Sequence, residues 1–94
     1  MATYEIISWR EIPAIVEARD DGGTVTRQLS ERFQMLIDSA AMQLGLDGAE
    51  AYIEQWQRTA PAQREGSASD VADAVAREIE DRFPVYIGQA FRRP

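Results

Sequence analysis

The side chains able to do chemistry in this chain are carboxylates and arginines. Of its 94 residues, 16 are Asp or Glu and 10 are basic, while histidine and cysteine are absent. Lacking histidine, the chain has neither the commonest general base nor the commonest transition-metal ligand. Lacking cysteine, it has no disulfide, thiolate metal site or thiol nucleophile. A Ser-His-Asp triad and a zinc site are thereby excluded. Every basic residue is arginine, so Schiff-base lysines and lysine-gripped phosphates are excluded too. We expect no catalytic residue, no metal and no cofactor.

Four groups remain as candidates. Glu50 with Glu54, and Asp70 with Asp73, stand at helical spacing, where paired carboxylates can exchange protons or hold Mg²⁺; the simpler expectation is a solvated helix face. Arg10, Arg27 and Arg32 form a second group. Two of these flank a strand–helix junction, where guanidinium forks and helix amides suit an anion, unless ion pairs to Glu31, Glu17 or Asp38 absorb them. Trp9, Trp56 and Tyr52 are aromatic anchors for a partner or, in so small a domain, core. Met35 and Met42 line an adaptable groove or fill the interior. Asp21-Gly22-Gly23 is a hairpin tip, without the context of a phosphate-binding loop.

These groups must be positioned by a central helix over 29–46. Leu29, Phe33, Leu36, Ile37, Ala40 and Leu44 recur at steps of three and four, with Met35 and Met42 predicting a second buried flank. Ser30 is the expected N-cap, and Gly45 ends the helix with Leu46 folded back. Before it, residues 3–9, 14–19 and 24–29 alternate as strands, the last two joined at Asp20-Asp21-Gly22-Gly23. After it, Asp47 and Glu50 predict a capping box for a helix over 48–58, with Ala49, Tyr52, Ile53 and Trp56 inward. Residues 60–68 read as a polar loop. Val71, Val75, Ile79 and Phe83 predict a third helix starting at Ser67 or Ser69 and stopped by Pro84. Residues 85–90 are β-prone, a fourth strand or a packed tail, and 91–94 are expected to fray. The fold class is α+β: one domain, 1–94, with a small antiparallel sheet of three or four strands against three helices, in the order βββααα(β).

The net charge is −6, and no third of the chain is basic, which disfavours nucleic acid. No apolar run approaches the roughly 20 residues of a membrane span. The N-terminal MATYEIISW is a strand pattern rather than a signal peptide, so we expect a cytoplasmic location. The absence of lysine and asparagine suits a GC-rich bacterial genome.

Trp9-Arg10-Glu11-Ile12-Pro13-Ala14, Gln28-Leu29-Ser30-Glu31-Arg32-Phe33, Ile37-Asp38, Ala40-Ala41-Met42, Gly45, Gly48, Ala51-Tyr52 and Trp56 together resemble a small bacterial family. It is labelled "virulence factor" domain and also occurs beside HEAT-like repeats in conserved virulence factor C proteins. The likeness covers roughly residues 3–60. It implies no activity, fold or catalytic residue, because the label describes a phenotype. It does imply stand-alone members near one-carbon and corrinoid demethylation genes, and it adds Asp38 to the polar candidates.

We therefore expect a non-enzymatic accessory protein docking on a larger protein through Trp9, Arg10, Arg27, Arg32, Asp38, Tyr52 and Trp56. An anionic-ligand site on the arginines is the alternative. A homodimer through the strand edge at 3–8, or through the last strand, is a further expectation.

Overall fold

The N-terminal alternation folds as an antiparallel meander of β1 (Ala2–Trp9), β2 (Ile12–Asp20) and β3 (Gly23–Gln28). In the computed structural model, which describes residues 1–91, α1 (Glu31–Gln43), α2 (Ala49–Glu54), β4 (Trp56–Arg58), β5 (Ala62–Arg64), α3 (Ala68–Asp81) and α4 (Phe83–Ala90) follow. The class is α+β, as expected. Arg92, Arg93 and Pro94, expected to fray, lie outside the described residues.

The β2–β3 turn forms as its residues dictate. Asp20 Oδ1 accepts the Gly22 amide at 2.7 Å, and Gly23 has a φ of 137°, a conformation that glycine adopts without strain. Pairing of Asp20 with Gly23 fixes the register, so Ile15 faces Gln28 and Glu17 faces Thr26. On the other side β1 meets β2 with a bulge at Ile7/Ser8. Beyond that irregularity Ser8, Trp9, Ile12 and Pro13 are all buried, so both faces of this sheet end are covered.

Three expectations about the sheet are corrected. Residues 56–58 are a strand rather than the end of the second helix, and 62–64 are a strand inside the expected loop. Both pair antiparallel with β1, at Trp9↔Trp56 and Tyr4↔Ala62. Unpaired β1 backbone groups are satisfied this way, and that tertiary demand overrides local helix preference. Strand β1 is consequently bonded on both sides, in a sheet of order β3-β2-β1-β4, and offers no free edge for the expected homodimer. Residues 85–90 are helical, which removes the alternative edge as well. Helix α3 ends at Asp81, ahead of Pro84 as expected, and Pro84 then occupies the first turn of α4, where its missing N–H is harmless.

Helix α3 lies across β2 and β3 and reaches β1, α1 packs on β2, and α4 rests on α1 and α3. Ser67 caps α3 by accepting the Asp70 amide at 3.2 Å, and Asp20 Oδ2 takes the Ala68 amide at 2.8 Å. The expected ending of α1 is present: Gly45 has φ 72°, its amide reaches the Met42 carbonyl, and the Leu46 amide reaches that of Ala41 at 2.8 Å. The expected start differs, because Ser30 is the N-cap by position but its hydroxyl does not cap. Likewise Gly48, not Asp47, precedes α2, and no capping box forms. Trp9, Phe33, Ile12, Ile37, Val16 and Val71 are the largest fully buried side chains. The expected second buried flank of α1 does not exist, since Met35 and Met42 are 63% and 70% exposed.

Candidate functional site

The junction between β3 and α1 brings Arg27 and Arg32 to the same side of the molecule, and α3 answers both. Arg27 Nε donates to Asp73 Oδ1 at 2.7 Å, and its Nη2 donates to Ser69 Oγ at 3.3 Å. Arg32 Nη2 donates to Glu80 Oε1 at 2.9 Å and to the Glu80 carbonyl at 2.7 Å, with its guanidinium 4.4 Å from the Phe83 ring centroid. The Ser30 amide and hydroxyl both donate to the same carboxylate at 2.7 Å. Burial pushes the Glu80 carboxyl up, but the two Ser30 hydrogen bonds and Arg32 outweigh it and hold the group below its ordinary value. Arg10 is elsewhere, in the β1–β2 turn with φ 55°; its amide donates to the Gln55 carbonyl and its carbonyl accepts from Gln57. The three arginines therefore do not converge.

The sheet face turned away from α3 carries a second ion network. Glu5, with a side chain only 12% exposed, accepts from Arg58 at 2.7 Å and from Arg19 at 3.4 Å, and Arg58 also reaches Glu17 at 3.3 Å. Its hydrogen bond from Arg58 lowers the Glu5 carboxyl against the opposing effect of burial, and that from Arg19 lowers it further. Asp20 is lowered by the amides of Ala68 and Gly22. Glu78 is lowered by Arg64, whose Nη2 lies 2.6 Å away. All four displaced carboxylates are thus held ionised by donors, the opposite of what a general acid at neutral pH requires.

The aromatic candidates form one cluster. Trp9 is fully buried, and its indole N–H donates to the Tyr52 carbonyl at 2.9 Å. The Tyr52 ring lies 5.6 Å from Trp9 and 6.2 Å from Trp56, edge-on to the latter. Gln34 donates to the Tyr52 hydroxyl at 3.1 Å and to Asp38 at 3.0 Å, which ties α1 to α2. Trp56 is half-buried and walls a cavity of about 480 Å³, whose far sides are Ile15, Gln28 and the first turn of α1.

On the other flank of α1 lies a smaller hollow of about 370 Å³, formed by Ser39, Gln43 and Leu44 with Phe91. On α1, on α4 and just after it, Met35, Met42, Val85, Ile87 and Phe91 are all more than 40% exposed. No residue of α4 is charged. Of the carboxylate pairs, Asp73 is taken by Arg27, while Glu50 and Glu54 stay exposed on α2. No cluster of three or more potential metal-binding residues occurs among the described residues, and none of their helices is long and apolar enough to cross a membrane.

Sequence reasoning missed Glu80, Glu5, Arg58 and Asp20. Asp20 carried a signal, as a turn residue with a second oxygen to spare. Glu80 carried none, since its partners are some fifty positions away.

The model of a family described as "Virulence factor" matches residues 7–86, well past the stretch of likeness that ended near residue 60. No curated protein and no solved structure matches the chain.

Proposed function

The chain belongs to the virulence factor family, and we propose that it is a non-enzymatic docking module, a subunit or regulator seated on a larger protein. The observation that carries this is the uncharged helix α4 with Val85, Ile87 and the following Phe91 exposed; Met35 and Met42 are further exposed apolar side chains, on α1. An isolated exposed apolar residue is ordinary, whereas a grouped set marks a contact surface. Helices α1 and α4 run side by side in the same direction, Phe33 meeting Phe83 and Tyr86 at one end and Ser39 nearing Phe91 at the other. The hollow at Ser39, Gln43, Leu44 and Phe91 suits an apolar side chain of an amphipathic partner helix.

The likeness drawn from sequence, with its link to one-carbon and corrinoid enzymes, supplies the class of partner to try first. An anion site on Arg10, Arg27 and Arg32 is the weaker reading, because two of these guanidiniums are already neutralised by α3. The test is co-purification from a native extract with the wild-type domain and with Met42→Glu/Ile87→Glu. A stoichiometric partner retained by the first and lost by the second, with thermal unfolding unchanged, supports docking on this face. A partner held equally by both places the contact elsewhere.

A further inference from the structure

The cavity beside Trp56 is chemically distinct from the α4 surface and lies on the other flank of α1: Gln34 and Ser39 are about 140° apart around that helix. We propose that it binds a small organic cation, an amidinium or guanidinium group carried on a flat apolar body.

Three features of the walls point to this class. First, among the described residues the only ionisable one lining the cavity is Glu31, although Arg27 and Arg32 are its near neighbours in sequence. Both arginines turn away to Asp73 and Glu80, and neither guanidinium lines the space. No hydrogen bond or ion pair engages Glu31 among the described residues. Second, Gln34 and Ser30 turn acceptors to the space, beside the Gln28 amide and the Trp56 indole N–H, which can donate. The Gln34 amide nitrogen spends its two hydrogens on Asp38 and Tyr52, so its oxygen is what remains. The Ser30 hydroxyl spends its hydrogen on Glu80. A ligand satisfying the Gln34 and Ser30 oxygens must bring N–H donors. Third, Trp56, Ile15 and Phe33 provide apolar walls, and an indole attracts a cation at its face. The positive end of the α1 dipole opposes a cation with roughly half a charge, which the full charge of Glu31 exceeds. At about 480 Å³ the space accommodates a ring with such a group.

Benzamidine and benzoate make the test, because they share a ring and differ in the sign of the charged group. In amide-resolved NMR titrations of the full chain, benzamidine is expected to shift the Trp56 indole and the Gln28, Glu31 and Gln34 amides together and to saturate. Benzoate is expected to leave them in place. Glu31→Gln removes the charge from an exposed position without altering shape, and is expected to weaken benzamidine roughly tenfold, a loss of about 1.4 kcal/mol. Arg27→Gln, whose side chain points to α3, is expected to bind as the wild type does. Equal response to both probes would overturn the charge assignment. No saturation by about 10 mM, below an affinity of some 3 kcal/mol, or unchanged binding in Glu31→Gln with its fold intact by thermal unfolding, would overturn the site.

Discussion

The seam between the β2–β3 hairpin and α3 contrasts with the outer surface of α1 and α4. Along the seam polar groups find partners within the chain: Arg27 with Asp73, Arg32 and Ser30 with Glu80, and Asp20 with the Ala68 amide. Across the outer surface α4 presents no charge, and Met35, Met42, Val85 and Ile87 face solvent uncovered. The first surface is finished by folding, and a further partner there would have to displace bonds already made. The second is left incomplete, and covering it removes apolar area from water at about 25 cal/mol per Å². A charged cluster in a sequence is therefore a poor guide to a binding face when its counter-charges arrive from another element.

The largest effect is expected at a buried residue outside both regions, in the aromatic cluster of α2 and β4. Trp9→Ala removes a fully enclosed indole and the bond to the Tyr52 carbonyl, and is expected to destabilise the domain by about 3–5 kcal/mol in urea unfolding. Since a domain of this size has roughly 5–15 kcal/mol in total, the variant should be marginal. A loss below about 1 kcal/mol would mean that the tryptophan is not structural, and the inside of the molecule would have to be redrawn.

A smaller effect is expected along the seam. Ser67→Ala removes the cap of α3 and should destabilise by about 1 kcal/mol in the same measurement. Adding Asp20→Asn weakens the bond to the Ala68 amide, so the double variant should unfold at lower temperature than Ser67→Ala alone. Equal melting would show that the hairpin tip does not hold the helix.

Acid should loosen the seam as well. Glu80 and Asp20, with Glu5 and Glu78, have carboxyls held below their ordinary values in the folded chain. The unfolded chain thus takes up protons first as pH falls. Their contribution is complete above the ordinary values of 4.5 for Glu and 3.8 for Asp, and is lost as pH drops through the lower folded values. Glu80→Gln should flatten that decline while melting at a lower temperature at pH 7. A decline as steep as that of the wild type would remove Glu80 from this account.

The seam and the outer surface also differ in how legible they were. The meander, its Asp-Gly turn, the Gly45 ending of α1 and the Ser67 start of α3 rest on local rules about glycine, caps and alternation, and the chain obeys them. Residues 56–64 were misread because β4 and β5 exist to satisfy the backbone of β1, a demand invisible to a local window. Residues 85–90 were misread because a proline that ends one helix can equally open the next. Met35 and Met42 were placed inside because hydrophobicity records a preference, not what is near enough to cover it. Arg27 and Arg32 were legible as a pair, but not their partners on α3.

The smallest expected effect on stability is the one that sharpens the contrast most. Met35→Gln/Met42→Gln removes two apolar side chains that make little contact, so the unfolding free energy should change by no more than about 0.5 kcal/mol. Glutamine is nearly as long and as good a helix former, so α1 itself is not perturbed. If these methionines are a docking surface, the same variant should lose its partner while melting unchanged, whereas Trp9→Ala loses stability. A destabilisation of 2 kcal/mol or more, the range of a buried methionine, would mean that the methionines are covered by the domain itself. The outer surface would then be finished by folding, like the seam, and would have nothing left to offer a partner.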